Sequence, residues 1–249
     1  MISTEMNLPG NLWQLKSTYD RFSERVFWPV GTVEAHGPLP VGTDNLSAEY
    51  IASKLAGEYG ADIIPLFPFG VNRSLVRHRG NLSLSPETFK AVVYDVGLSL
   101  WRNGVKELVV INGHGGNTSH LKEALHRLHL DTGMRVAAID WWVLVPTLSK
   151  EIFGEVQGHA GVEEWAFVVT SYPELYGRVD REKEYPAYHP RGGVSVYPAP
   201  RSILLYEEGR TNRYHFTEAQ LNRYVEGVLK AVKEVLDEIF GGWRSNGED

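Results

Sequence analysis

Residues 29–45 read PVGTVEAHGPLPVGTDN, so Glu34, His36 and Asp44 sit among glycines and prolines directly after an apolar run. Surface charge needs no such placement, whereas a bound cation would explain it. Residues two apart on an extended chain project to the same side, so Glu34 and His36 reach toward one point. Asp44 follows at the start of a helical pattern, where it reads equally as an N-cap. A second cluster, NGHGGN, ends the apolar run ELVVI and carries His114. Its glycines leave room for close approach to the backbone, and Asn117 is placed to cap the helix that follows. The positive end of that helix disfavours a protonated His114 and suits a neutral ligand. A third cluster, GHAGVEEWAFVV, holds His159, Glu163 and Glu164. Val162, Trp165, Ala166 and Val169 fall on one helical face, and Phe167 and Val168 extend it nearly all round. A buried helix with adjacent glutamates requires that at least one be paired or ligated. Neighbours on a helix point about 100° apart, so the two glutamates do different jobs, and Glu163 lies nearer the strongest apolar face.

Carboxylates and imidazoles together suit Zn²⁺, Mn²⁺ or Fe²⁺. Taken singly, each residue reads as an ordinary turn or cap; their joint placement at strand ends points to a metal. There is no cysteine, which removes disulfides, thiolate nucleophiles and cysteine-based zinc sites together. There is also no G-x-S-x-G elbow, so covalent catalysis has no evident agent.

The elements that must position these residues are legible as alternating patterns. RVFWPVG from Arg25, DIIPLFPFG from Asp62, ELVVING from Glu107 and RVAAIDWW from Arg135 are short, nearly continuous apolar runs. Such runs suit strands buried on both faces of a parallel sheet. Between them, residues 44–60, 85–104 and 117–133 carry helical periodicity and end at or near glycine. The alternation predicts an α/β fold, a three-layer α/β/α sandwich on a mainly parallel sheet. Ligands of such sheets bind beyond the carboxyl ends of the strands, where the polar clusters fall. A helix is expected after Gly161, loops with a short β piece over 185–200, and a last amphipathic helix from Thr217 to Ile239. The tail GGWRSNGED is expected to fray.

The chain of 249 residues has ordinary globular composition and is expected to form one domain over 1–249. A net charge of −6 argues against nucleic acid as a partner. No run of about 18 apolar residues is present, which argues against a membrane span. The first residues, MISTEMNLPGNLW, lack a secretory pattern, so a cytoplasmic location is expected. Arg73, Arg77, His78 and Arg79 form one basic exception, read either as an anion-binding loop or as a solvated one. By the strand-end rule this loop opens near the rim that carries Glu34 and His114, and Arg77, Arg79 and Asn117 are the substrate-binding candidates.

EAHGPLPVGTD, NGHGGN and HAGVEE, with SLSPETF between the first two, resemble the ordered motifs of the creatininase family. The resemblance implies a binuclear, metal-dependent amidohydrolase of a small molecule, assembled as a homo-oligomer, a hexamer by family pattern. Two divalent ions are implied, with Glu34, Asp44 and His114 on one, His36 and Asp44 on the other, and Glu164 as a further ligand. His159 matches the proton shuttle, with Glu163 as a second catalytic candidate. The chain departs from the pattern at HGPLP, which is one residue short, at Trp165-Ala166, and at Gly115-Gly116, where creatininase itself is expected to carry a glutamate. The last departure points away from creatinine and toward formamide or peptide-trimming relatives, such as a deformylase of a phosphorylated formamidopyrimidine. A non-catalytic, metal-stabilised oligomeric binding protein is the rival reading.

Overall fold

The computed structural model describes residues 11–154, 156, 158–180, 187–188, 204–205 and 214–245. Three of the apolar runs form strands: β1 (Arg25–Val30), β3 (Glu107–Asn112) and β4 (Arg135–Asp140). β2 is only Asp62–Ile63, and the four are parallel in the order β2-β1-β3-β4. The run after Asp62 was expected to be a full strand. Pro65 and Pro68 carry no N–H, and past Ile63 the segment keeps only single bonds to β1, such as Phe67 N–H to the Pro29 carbonyl.

The alternation of side chains across β1 and β3 divides the core in two. Phe27, Val109 and Ile111 face one side, where they meet α1 (Thr43–Leu55), α4 (Pro146–Phe153), α5 (Val162–Ser171) and α6 (Glu218–Ser245). Val26, Trp28, Leu108 and Val110 face the other, against α2 (Pro86–Arg102) and α3 (Thr118–Thr132). Helices thus cover both faces of a parallel sheet in a three-layer α/β/α sandwich. α2 starts as its sequence demands: Pro86 sits in the first turn and Ser85 Oγ accepts from Thr88 N–H.

α6 runs beyond its expected end. Buried residues at Leu221, Val225, Val228, Val232, Leu236 and Phe240 keep helical spacing, and the helix continues through Gly241 and Gly242. Trp243 packs on Phe240 at 5.5 Å, and its carbonyl accepts from Arg135, which anchors the first part of the tail expected to fray; residues 246–249 lie outside the described residues. β5 (Ala187–Tyr188) falls within 185–200, where a short β piece was expected, and pairs in parallel with β6 (Leu204–Leu205) beyond it; the rest of 185–200 lies outside the described residues. Among the described residues, no helix is long and apolar enough to cross a membrane.

Candidate metal centre

In β1 and β3, Val30 pairs with Asn112, so the two strands end side by side and their following loops share one rim. At the opposite, amino end, buried carboxylates have cationic partners: Glu107 takes Arg25 and Arg135, and Asp62 takes Lys16. At the carboxyl end, Glu34 and Asp44 have no lysine or arginine partner among the described residues. Glu34 and Asp44 are each 2% exposed, and among the described residues only imidazoles pair with them. Buried anions without arginine or lysine call for another cation.

The carboxylates and imidazoles interlock. Nε2 of His36 lies 2.8 Å from Oδ1 of Asp44 and 3.5 Å from Oε2 of Glu164. Nδ1 of His114 lies 2.9 Å from Oδ2 of Asp44 and 3.3 Å from Oε2 of Glu34. Two triads result, Glu34–Asp44–His114 and His36–Asp44–Glu164, and Asp44 belongs to both. Oδ2 of Asp44 is buried and aligned for no hydrogen bond. His159 stands beside them, its ring 4.4 Å from that of His36 and its Nδ1 3.7 Å from Glu34. A third grouping, Glu34–His36–His159, is close enough to ligate as well.

Each histidine is aimed by a backbone carbonyl. His36 Nδ1 bonds to the Glu34 carbonyl at 3.0 Å, His114 Nε2 to Val71 at 3.1 Å, and His159 Nε2 to Ala35 at 2.9 Å. A ring nitrogen that donates to a carbonyl leaves the other nitrogen's lone pair facing the carboxylates, the arrangement that metal-ligating histidines favour. The residues present therefore fit a pair of divalent ions, with oxygen and nitrogen donors and orienting bonds already in place.

Without a cation, protons take its place. Burial opposes a charge on His36, but Asp44 and Glu164 outweigh it and raise its pKa well above the ordinary value. Burial likewise opposes His114, yet Asp44 and Glu34 push it up to about 9. The α3 terminus was expected to keep His114 neutral; two carboxylates in contact prevail over a partial charge. Burial raises Asp44, but His36 and His114 win and hold it below the usual carboxylate range.

Local structure explains the placement. Asp44 is not the N-cap of α1; that position is Gly42, which leaves the Asp44 side chain to the site. Gly113 is required, because a Cβ there would lie 2.0 Å from the Asp44 carbonyl oxygen. Glu163 and Glu164 open α5 but part company: Glu164 joins His36, whereas Glu163, 4% exposed, lies in the cavity wall and in no metal-ligand grouping among the described residues. Asn117 does not cap α3 with its side chain. It is fully buried, donates to the Gly31 carbonyl and accepts from Val71 N–H.

A cavity of about 490 Å³ opens over the triads. Arg73, His120, Trp141, Trp142, Glu163 and Tyr224 are among its walls. Arg77 and Arg79 are exposed and outside those walls. Trp141 and Trp142 were not singled out as site residues, although they follow β4 directly and the strand-end rule could have found them. Tyr224 left no signal, since its spacing in α6 is that of a core residue.

A buried carboxylate–imidazole cluster beyond the carboxyl ends of a parallel sheet defines a candidate metallohydrolase centre. The family model described as creatinine amidohydrolase matches residues 13–236, and the chain belongs to the creatininase family. It is similar to a creatinine amidohydrolase of Pseudomonas putida, 26% identical over 83% of this chain and 87% of that one. A 2-amino-5-formylamino-6-ribosylaminopyrimidin-4(3H)-one 5′-monophosphate deformylase of Methanothermus fervidus is 30% identical over 71% of this chain and 67% of its own length. A solved creatinine amidohydrolase superposes with a TM-score of 0.73 over 86% of this chain and 90% of that one, at 21% identity, and so shares the fold. Creatininase structures with comparable similarity include a Zn-Zn type and a Mn form.

Proposed function

We propose that this chain hydrolyses a C–N amide bond in a small molecule, as a metal-dependent amidohydrolase with two divalent ions, Zn²⁺, Mn²⁺ or Fe²⁺. The observation that carries this reading is the pair of donor triads joined at Asp44. The printed activities of the relatives, a creatinine amidohydrolase and a formylamino-pyrimidine deformylase, support the same bond class. One ion would be held by Glu34, Asp44 and His114, the other by His36, Asp44 and Glu164. Ions bound there would polarise the substrate carbonyl and acidify a water.

The chain's own groups do the rest. Hydrogen bonds to the Glu34 and Val71 carbonyls fix a proton on Nδ1 of His36 and Nε2 of His114, so that the other nitrogen of each ring is the one aimed at an ion. His159 Nε2 is engaged by Ala35, so Nδ1 is the atom that takes up a proton and returns it to the departing nitrogen. Glu163, from the cavity wall, would orient the substrate as the second member of the catalytic set. Trp141 and Trp142 give the reacting bond a flat, dry surround.

The substrate proposed is an anionic amide, such as a phosphorylated formamide. Among the described residues Arg73 is the arginine in the cavity wall, and it takes the anion-binding role within this chain. Arg77 and Arg79 would serve an anion only from a neighbouring copy. A homo-oligomer, a single domain over 1–249 and a cytoplasmic location complete the proposal. Metal analysis together with hydrolysis of an anionic formamide and of small cyclic amides tests it. Bound metal without turnover of any amide would instead favour a metal-stabilised binding protein.

A further inference from the structure

Between His159 and Gly161, Ala160 adopts φ 54°, and no other non-glycine residue among those described has positive φ. A side chain in this left-handed region crowds the following carbonyl, so something must hold it there. Both peptide planes of Ala160 are in fact held. Its N–H donates to Oε2 of Glu164 at 2.6 Å, the same oxygen that lies 3.5 Å from Nε2 of His36. Its carbonyl accepts from the hydroxyl of Tyr214. Both Ala160 and Tyr214 are fully buried.

We infer that Tyr214 is a positioning residue for the centre: its hydroxyl locks Ala160 in the left-handed conformation, and that conformation aims Glu164 at the second ion and His159 at the substrate. Tyr214 is suited to this by its own setting. Its ring meets Trp165 edge-on at 5.2 Å, and Trp165 stacks on Tyr176 at 5.4 Å with planes 6° apart. The hydroxyl is thus carried on a stack of rings with no freedom to drift. Trp165 is one of the residues at which this chain departs from the family motif, and it gives Tyr214 the surface it needs. The lock reaches across the chain, from Tyr214, four positions ahead of Glu218 at the start of α6, to the turn before α5.

The inference rests on Glu164 as a ligand and His159 as the proton shuttle. Tyr214→Phe keeps the rings and deletes the hydrogen bond. Titration of cation-stripped protein with Mn²⁺ in a calorimeter should show one tight equivalent unchanged and the second weakened about tenfold, the scale of one lost hydrogen bond. Turnover should fall by a similar factor with KM unchanged. Ala160→Gly, which adopts positive φ without a Cβ penalty, should bind both equivalents normally and should recover most of the loss when combined with Tyr214→Phe. Tyr214→Phe that binds two equivalents as the unmodified protein does would overturn the lock. So would equal weakening of both equivalents, or a loss that Ala160→Gly leaves untouched, since either marks a merely structural role. An unmodified chain that binds no Mn²⁺ and no Zn²⁺ would instead overturn the metal reading itself.

Discussion

Asp44 offers one oxygen to each triad, and no other residue is shared between them. Asp44→Ala should therefore remove both ions rather than one, and elemental analysis that still finds two per chain would reject the shared role. His159→Ala separates ligand from shuttle. Retention of both ions with turnover reduced roughly 10²- to 10⁴-fold is the expected outcome for a general acid–base group. Loss of an ion would place His159 in the ligand set. Arg73 and its neighbours can be sorted by kinetics with paired substrates. Arg73→Ala should raise KM for an anionic amide and leave a neutral one nearly unchanged, whereas Arg77→Ala and Arg79→Ala should do neither within one chain. A uniform effect of Arg73→Ala on both substrates would exclude charge recognition.

At the scale of elements, the site depends on how closely β3 approaches the start of α1. Gly113→Ala would push a methyl to 2.0 Å from the Asp44 backbone, and backbone cannot swing aside as a flexible side chain can. The expected result is a folded but weakened protein with lowered cation affinity, read by calorimetry and thermal unfolding. Full affinity in that variant would show that α1 is free to shift. What the sequence disclosed at this scale follows from period and strand ends. β1 and β3 are buried on both faces and read as unbroken apolar runs; Glu34, His36 and His114 lie just past them. β2 was overread because DIIPLFPFG has the apolarity of a strand and two prolines that end one. Asn117 was misread because an asparagine before a helix has the same appearance whether it caps or clamps. Ala160 and Tyr214 were invisible: an alanine carries no mark of a left-handed conformation, and a contact spanning 54 residues leaves no periodicity. The end of α6 was missed because Gly241 and Gly242 mask the anchoring of Trp243.

For the whole molecule, protons and cations compete for one set of groups. His114 has a folded pKa of about 9, against about 6.5 for an unfolded chain. A raised pKa contributes stability that is complete below about pH 6.5 and is lost as pH rises through about 9. Cation-stripped protein should accordingly melt at progressively lower temperature between pH 6.5 and 9.5. Protein loaded with Mn²⁺ or Zn²⁺ should not, because the ion holds His114 neutral throughout. A flat melting profile for the stripped protein would show that His114 carries no proton in its folded state.

The proposed ligands come from residues 34–44, 114 and 164, brought together by two layers of the sandwich. An ion bridging Asp44 and Glu164 would close a loop of about 120 residues in a chain that contains no cysteine. Closing so long a loop restricts the unfolded chain in the way a disulfide does. Here the fastening would be reversible: a chelator unties it, and added cation ties it again. Resistance to proteolysis in the glycine-bearing turn before α5 should then rise and fall with cation supply, which would make the catalytic ions the chain's substitute for a covalent staple.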